Sequence, residues 1–285
     1  MKPAFSTVAC PEWTLEDVAE FAGHAGYQGV ELRTFGHAST DLACDPCKTG
    51  PAKIRDLFED AGVTPLCLAS SIRYDKPVWP PVLGHAITDT ERPVRETKSL
   101  VEVAAQCEIG AVRVFAFELS PSEKREQGIK RVLGRLQSAL TTCRNTGVKL
   151  ILENAGSFPL AEDLGEIIER ANSPLLYAAY NPAVAKTHGE DPVEGARLLG
   201  ARLWSVKLSD YHDATPVPLG EGDLDAERLV SELACSRFPG WLVYEWPRLW
   251  LRELGEPTDQ LTDACEKIYR WMGAAAPSPA TAQTH

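Results

Sequence analysis

A chain of 285 residues with 44% hydrophobic and 24% charged residues reads as an ordinary globular protein. Its net charge of −11 and pI near 5.1 argue against a nucleic-acid groove, which needs a basic stripe. No apolar run of about 18 residues is present, so no membrane span is expected. "MKPAFSTVAC" also lacks the basic start and long apolar run of a secretory leader.

Apolar strand-like runs alternate with amphipathic helical patterns from start to end. Strands are predicted over 3–9, 29–33, 64–70, 111–117, 148–154, 175–181, 203–209 and 241–246. Thr14 with Asp17 predicts a capping box, and Asp191-Pro192 supplies an N-cap followed by an N1 proline. The stretch 120–147 predicts one crossover helix with its entry turn. Gly26, Gly62, Gly110, Gly147 and Gly200 each stand where a helix should stop and a strand begin. This alternation predicts a single-domain (β/α)8 TIM barrel over 1–272. A doubly wound open sheet would announce a glycine-rich turn after the first strand, and "VACPEW" is not one. The Ala/Pro/Thr-rich segment 273–285 is predicted to be a disordered tail.

Cysteines at 10, 44, 47, 67, 107, 143, 235 and 265 are scattered through the chain, several in apolar patterns. That usage suits reduced, buried thiols and a cytoplasmic protein. "CDPC" at 44–47 has the spacing of a metal or redox motif, but no second pair of ligands accompanies it. It is read as a plain loop.

In such barrels the site lies at the C-terminal ends of the strands, and side chains alternate between interior and helix layer. The inward polar positions are then Glu31 and Arg33, Ser70 and Ser71, Arg113, Glu153 with Asn154 beyond it, Asn181, Lys207 above Ser205, and Glu245. Singly, each is compatible with an ordinary strand end facing solvent. Together they are harder to dismiss, because ionisable groups in apolar strands are costly unless paired. Glu153, Lys207 and Glu245 are expected to converge as catalytic residues. Glu31, Arg33, Ser70, Arg113, Asn154, Asn181 and Trp246 are expected to bind substrate. Trp79, Phe117, Trp246 and Trp250 are placed to wall the mouth, or to pack as ordinary loop residues.

"FSTVACPEWTLEDVAEFAGHAGYQGVELR", "LILENAG", the run from Asn181 to Asp225 and "GWLVYEW" resemble the xylose isomerase-like TIM-barrel superfamily, the sugar phosphate isomerase/epimerase group. The resemblance implies a divalent metal, often manganese, held by Glu, Asp, His and Glu on strands five to eight. Glu153 and Glu245 match that pattern. Asn181 stands where the Asp is expected, Val184 takes the place of a histidine found in some members, and Lys207 stands where the metal-binding His is expected. An amide is a weaker ligand for a hard cation than a carboxylate, and a protonated lysine has no lone pair. The expectation is therefore that the metal is lost, with no cofactor, and that the Lys207 ammonium pairs with Glu153 and Glu245. His188 joins the substrate-binding candidates because the family's corresponding segment borders the pocket; His212 is a weaker one.

The resemblance and its departures together imply a metal-independent isomerase, epimerase or lyase that moves a proton next to a carbonyl in a small sugar-like molecule. A non-catalytic sugar- or partner-binding member and a metal-dependent enzyme with unusual ligands are the alternatives. The family's nuclease branch is set aside for want of clustered ligands and a basic surface. A Schiff-base lysine is disfavoured, since two carboxylates raise the pKa of Lys207. By analogy with the group a homodimer is an expectation, with neither nucleic acid nor membrane as partner.

Overall fold

Strands rich in Val, Leu, Ile and Ala that are buried on both faces favour a parallel sheet covered by helices. The computed structural model describes residues 1–36, 42–76, 89, 91–121 and 123–274. Its strands are β1 (Lys2–Ser6), β2 (Gly29–Arg33), β3 (Thr64–Arg73), β4 (Ala111–Phe115), β5 (Lys149–Glu153), β6 (Leu176–Tyr180) and β7 (Leu203–Leu208). A short antiparallel hairpin, β8 (Asp210–His212) with β9 (Thr215–Val217), precedes β10 (Trp241–Tyr244). The parallel strands close in the order β1-β10-β7-β6-β5-β4-β3-β2. Closure through both β1–β2 and β1–β10 pairing confirms the predicted barrel and rules out the open sheet.

Helices dock by their apolar stripes. Ala161–Ala171 buries Ala161, Leu164, Ile167, Ile168 and Ala171, the three-and-four spacing of one helical face. Each large aliphatic side chain so buried contributes about 1.5–3 kcal/mol. The predicted start signals act as expected. The Thr14 hydroxyl accepts from Asp17 N–H at 3.1 Å while the Asp17 carboxylate accepts from Thr14 N–H at 2.8 Å. Asp191 accepts from Val193 and Glu194 N–H groups. Gly26 ends its helix at φ 86°, but before β4 the left-handed residue is Glu108 at φ 59°, not Gly110. The 120–147 segment forms the helix Arg125–Thr142.

The barrel interior has two layers. At the N-terminal end Ala4, Leu66, Cys67, Ala111, Ile151, Ala179, Trp241 and Val243 form an apolar plug, with Tyr177 and Trp204 packed on it. Gly29 is required there: a Cβ would lie 2.5 Å from the Trp241 ring. Above the plug the inward positions turn ionic, with Glu31, Arg113, Glu153 and Lys207 all buried. The polar side of β7 therefore faces the barrel axis, as its alternation suggested, and Ser205 and Lys207 have no exposure.

"CDPC" is a turn. The Asp45 carboxylate caps Pro46–Lys48 through Cys47 N–H at 3.0 Å and receives the Thr34 hydroxyl at 2.7 Å. Gly273 and Ala274 still bond to the end of the last helix. The rest of the expected tail, and Trp79, lie outside the described residues. No helix among the described residues is long and apolar enough to cross a membrane.

Candidate active site

Lys207 sits near the C-terminal end of β7 with a fully buried side chain. An ammonium stripped of water needs compensating charge, and it has two partners. Its Nζ donates to Glu31 Oε1 and, at 2.8 Å, to Glu245 Oε2. Burial alone would drive Lys207 to release its proton, but Glu245 and Glu31 outweigh burial and hold its pKa well above the usual lysine range. It is an ammonium, not an amine nucleophile. Burial likewise pushes Glu31 up, and Lys207 with Arg113 more than reverses it, leaving the carboxyl below its usual range. The Ser6 hydroxyl donates to the same Glu31 oxygen at 3.0 Å, while Oε2 has no hydrogen-bond partner among the described residues.

Glu153, at the end of β5, was expected on Lys207. The structure gives it to Arg113 of β4 instead, whose Nη1 donates to Glu153 Oε2 at 2.9 Å. The register explains the switch. Phe115 on β4 is level with Glu153, which puts Arg113, two residues lower on the same inward face, within reach, whereas β6 stands between β5 and β7. Arg113 also lies 4.0 Å from Glu31 and donates to the Ser70 carbonyl at 3.0 Å. Burial works against its charge, but Glu153 and Glu31 prevail and keep it protonated. Lys207, Glu31, Glu245, Arg113 and Glu153 thus form one continuous ionic layer.

The remaining candidates divide. Arg33 is buried above Glu31 on β2, stacked on Phe35 at 4.1 Å. Asn181 accepts from Val184 N–H at 3.3 Å, capping the next helix. Asn154 is a brace: its amide donates to the Pro159 and Asn181 carbonyls and accepts from Asn181 N–H at 2.6 Å. Ser70 donates to the Arg113 carbonyl. His188 is exposed and engages Thr187 and the Val184 carbonyl, away from the ionic layer. Trp246 is buried with its indole N–H unpartnered among the described residues, while Trp250 is exposed. Phe117 stacks under Arg73 at 4.6 Å.

A cavity of about 530 Å³ opens between the ends of β6, β7 and β10, lined by Asn181, Val184, Ser209, Tyr211, Asp223 and Glu245 among others. Glu245 is the one member of the ionic layer on its wall. The loop forming the far wall is fastened by Asp210, which accepts from Gly220, Tyr211 and Leu224 N–H groups at 2.9–3.1 Å. Sequence reasoning passed over Asp210, Tyr211 and Ser6. The inward parity of Ala4 and Ser6 on β1 could have found the last.

A divalent metal does not fit these side chains as they stand. No group of three or more His, Cys, Asp or Glu that could hold a metal ion occurs among the described residues. Lys207 fills the space between Glu31 and Glu245, and Arg113 engages Glu153.

Comparison with known proteins adds three relatives. A family described as "Xylose isomerase-like TIM barrel" matches residues 19–271. The inosose dehydratase of Geobacillus kaustophilus (strain HTA426) is 22% identical over 278 residues, covering 84% of this chain and 85% of that protein. Among solved structures, an IolI protein described with a bound zinc atom superposes with a TM-score of 0.77 at 17% identity, covering 96% of this chain and 98% of that one. A D-psicose 3-epimerase solved with D-fructose gives a TM-score of 0.74 at 11% identity, with 96% and 100% coverage. The zinc in the IolI protein overturns the expectation of a cofactor-free site. That expectation was drawn from the chemistry of Lys207 and Asn181 in this chain alone, whereas a structural neighbour of the same barrel fold is described with a metal.

Proposed function

Because the chain belongs to the xylose isomerase-like TIM-barrel family, we propose that it is an isomerase, epimerase or lyase acting on a small sugar-like or polyol-like carbonyl compound. The relatives support this class: one is named a dehydratase and another an epimerase. The observation that carries the reading is Glu245, whose carboxylate lines the cavity while one oxygen holds the buried Lys207 ammonium.

A carboxylate at the cavity wall is placed to take the proton from the carbon beside a carbonyl. The electron pair then moves onto the carbonyl oxygen, giving an enediolate. Lys207 and Arg113 supply fixed positive charge near that oxyanion, where preorganised charge is most effective in a dry site. Glu153 is the second acid–base group. Return of the proton to the opposite face gives an epimer, and return to the neighbouring carbon gives an isomer. Expulsion of hydroxide from the next carbon, protonated as it leaves, gives the dehydrated product.

Binding without turnover is the second reading, favoured by the complete burial of Lys207 between two carboxylates. Incubation in D2O with a panel of ketoses, inososes and keto acids separates the two. The enzyme reading predicts deuterium at the carbon next to the carbonyl for at least one compound, read by NMR, and loss of that exchange in Glu245→Gln. Ligand binding with no exchange across the panel, with and without added zinc or manganese, would sink it.

A further inference from the structure

Arg33 is the one cation of the inward layer without an ion pair among the described residues. Its side chain is nine-tenths or more buried, at 3% exposure. Nη1 donates to the Thr34 carbonyl at 3.1 Å and to the Ala69 carbonyl, and Nη2 donates to the Ser71 hydroxyl. Nε is buried with no hydrogen-bond partner among the described residues. Every group it bonds is neutral. The carboxylates close enough to act on it, Glu245, Glu31 and Glu153, are bonded to Lys207 and Arg113 instead.

A buried guanidinium with only neutral partners is an unfinished arrangement, because its charge is desolvated without an anion to answer it. Burial, with Arg113 nearby adding repulsion, pulls the Arg33 pKa down to about 10. The donors left over are Nε–H and one N–H of Nη2. Together they suit the side-on fork by which arginine takes two carboxylate oxygens. Phe35 covers one face of the guanidinium, so an anion is to be met along its edge. Arg33 lies on the same inward face of β2 as Glu31, one pleat nearer the mouth.

We propose that Arg33 receives a carboxylate carried by the substrate, so that the substrate class is a sugar acid or polyhydroxylated keto acid. This deepens the function proposed above and rests on it for the position of the reacting carbon. It places the anionic end at β2 and the carbon that loses its proton toward Glu245.

The test uses the full-length chain and three unreactive probes: D-gluconate, D-glucitol and D-glucitol 6-phosphate, titrated by calorimetry. Gluconate is expected to bind at least tenfold more tightly than glucitol. Arg33→Met abolishes that preference and Arg33→Lys reduces it, with far-UV circular dichroism showing each variant folded. Arg33→Lys, which keeps the charge and loses the fork, serves if Arg33→Met does not fold. Equal binding of gluconate and glucitol, no binding of gluconate, or a preference unchanged in Arg33→Lys and Arg33→Met overturns the inference. So does tighter binding of glucitol 6-phosphate than of gluconate, which assigns the site to phosphate. Arg33-dependent gluconate binding in a protein that exchanges no substrate proton supports the anion site while removing the proposed chemistry. Exchange with neutral ketoses at rates equal to those with keto acids does the reverse.

Discussion

The Glu31 carboxylate on β2 and the Lys207 ammonium on β7 meet inside the barrel across two intervening strands, β1 and β10, with neither side chain open to solvent. Such a pair is costly to break and much less costly to replace as a unit, since removing one member strands the other charge. Lys207→Met is expected to destabilise the fold by about 3–5 kcal/mol. The double variant Lys207→Met/Glu31→Gln should recover more than half of that loss and remain without proton-exchange activity. Urea unfolding of the two single variants and the double variant measures the coupling. Additive losses would mean the pair is not a unit.

Acid titration gives a second handle. The folded-state pKa of Glu31 lies below its unfolded value. Its stabilising contribution is therefore present above about pH 4.3 and is lost as pH falls through the folded pKa. In Lys207→Met the dominant effect on Glu31 becomes burial, which favours the neutral acid. The stability gap between wild type and Lys207→Met should then be widest near neutral pH and shrink toward pH 4. A gap independent of pH, measured by urea midpoints, would show that Glu31 is not the titrating group.

Glu245 and Glu153 hold different neighbours, Lys207 and Arg113, and are assigned different tasks. If Glu245 removes the proton and Glu153 completes the reaction, the two are separable. Glu153→Gln should retain deuterium wash-in to the substrate while product formation falls by about two orders of magnitude, the lower range for one general acid–base group. Glu245→Gln should lose both. Identical behaviour of the two variants contradicts the division of labour.

Asp210 is predicted to act on the site only through its loop. Three backbone N–H groups converge on its carboxylate, and charge-assisted bonds of that kind contribute about 1.5–3 kcal/mol each before losses elsewhere. Asp210→Asn should raise KM with kcat nearly unchanged. It should also open residues 211–224 to limited proteolysis. A fall in kcat with KM unchanged argues for direct participation.

Much of the barrel was legible because its signals are local: strand alternation, the Thr14 and Asp191 caps and the Gly26 stop each act within a few residues. The inward face of β7 was legible for the same reason. What the sequence did not disclose was partnership across strands. Glu31 was read as a substrate contact and Glu153 as the Lys207 partner, whereas strand order and relative height put Glu31 on Lys207 and Glu153 on Arg113. The hairpin Asp210–Val217 was also missed, since its strands are three residues each and its turn residue is Asp213 at φ 54°, not glycine. The direction of the His188 ring was not legible either: a loop residue near the mouth in chain order engages the Val184 carbonyl of its own helix.

The aromatic stopper at the N-terminal end has a bearing on isotope experiments. Trp241, Trp204 and Tyr177 block that end, and Gly29 lets the Trp241 ring seat against β2. If the ionic layer lifts a proton as proposed, the route through that end is closed among the described residues and the proton leaves on the side of the substrate. Internal return competes with wash-out, and a label on the substrate carbon should reappear in the product in the first turnover more often than an open channel would permit.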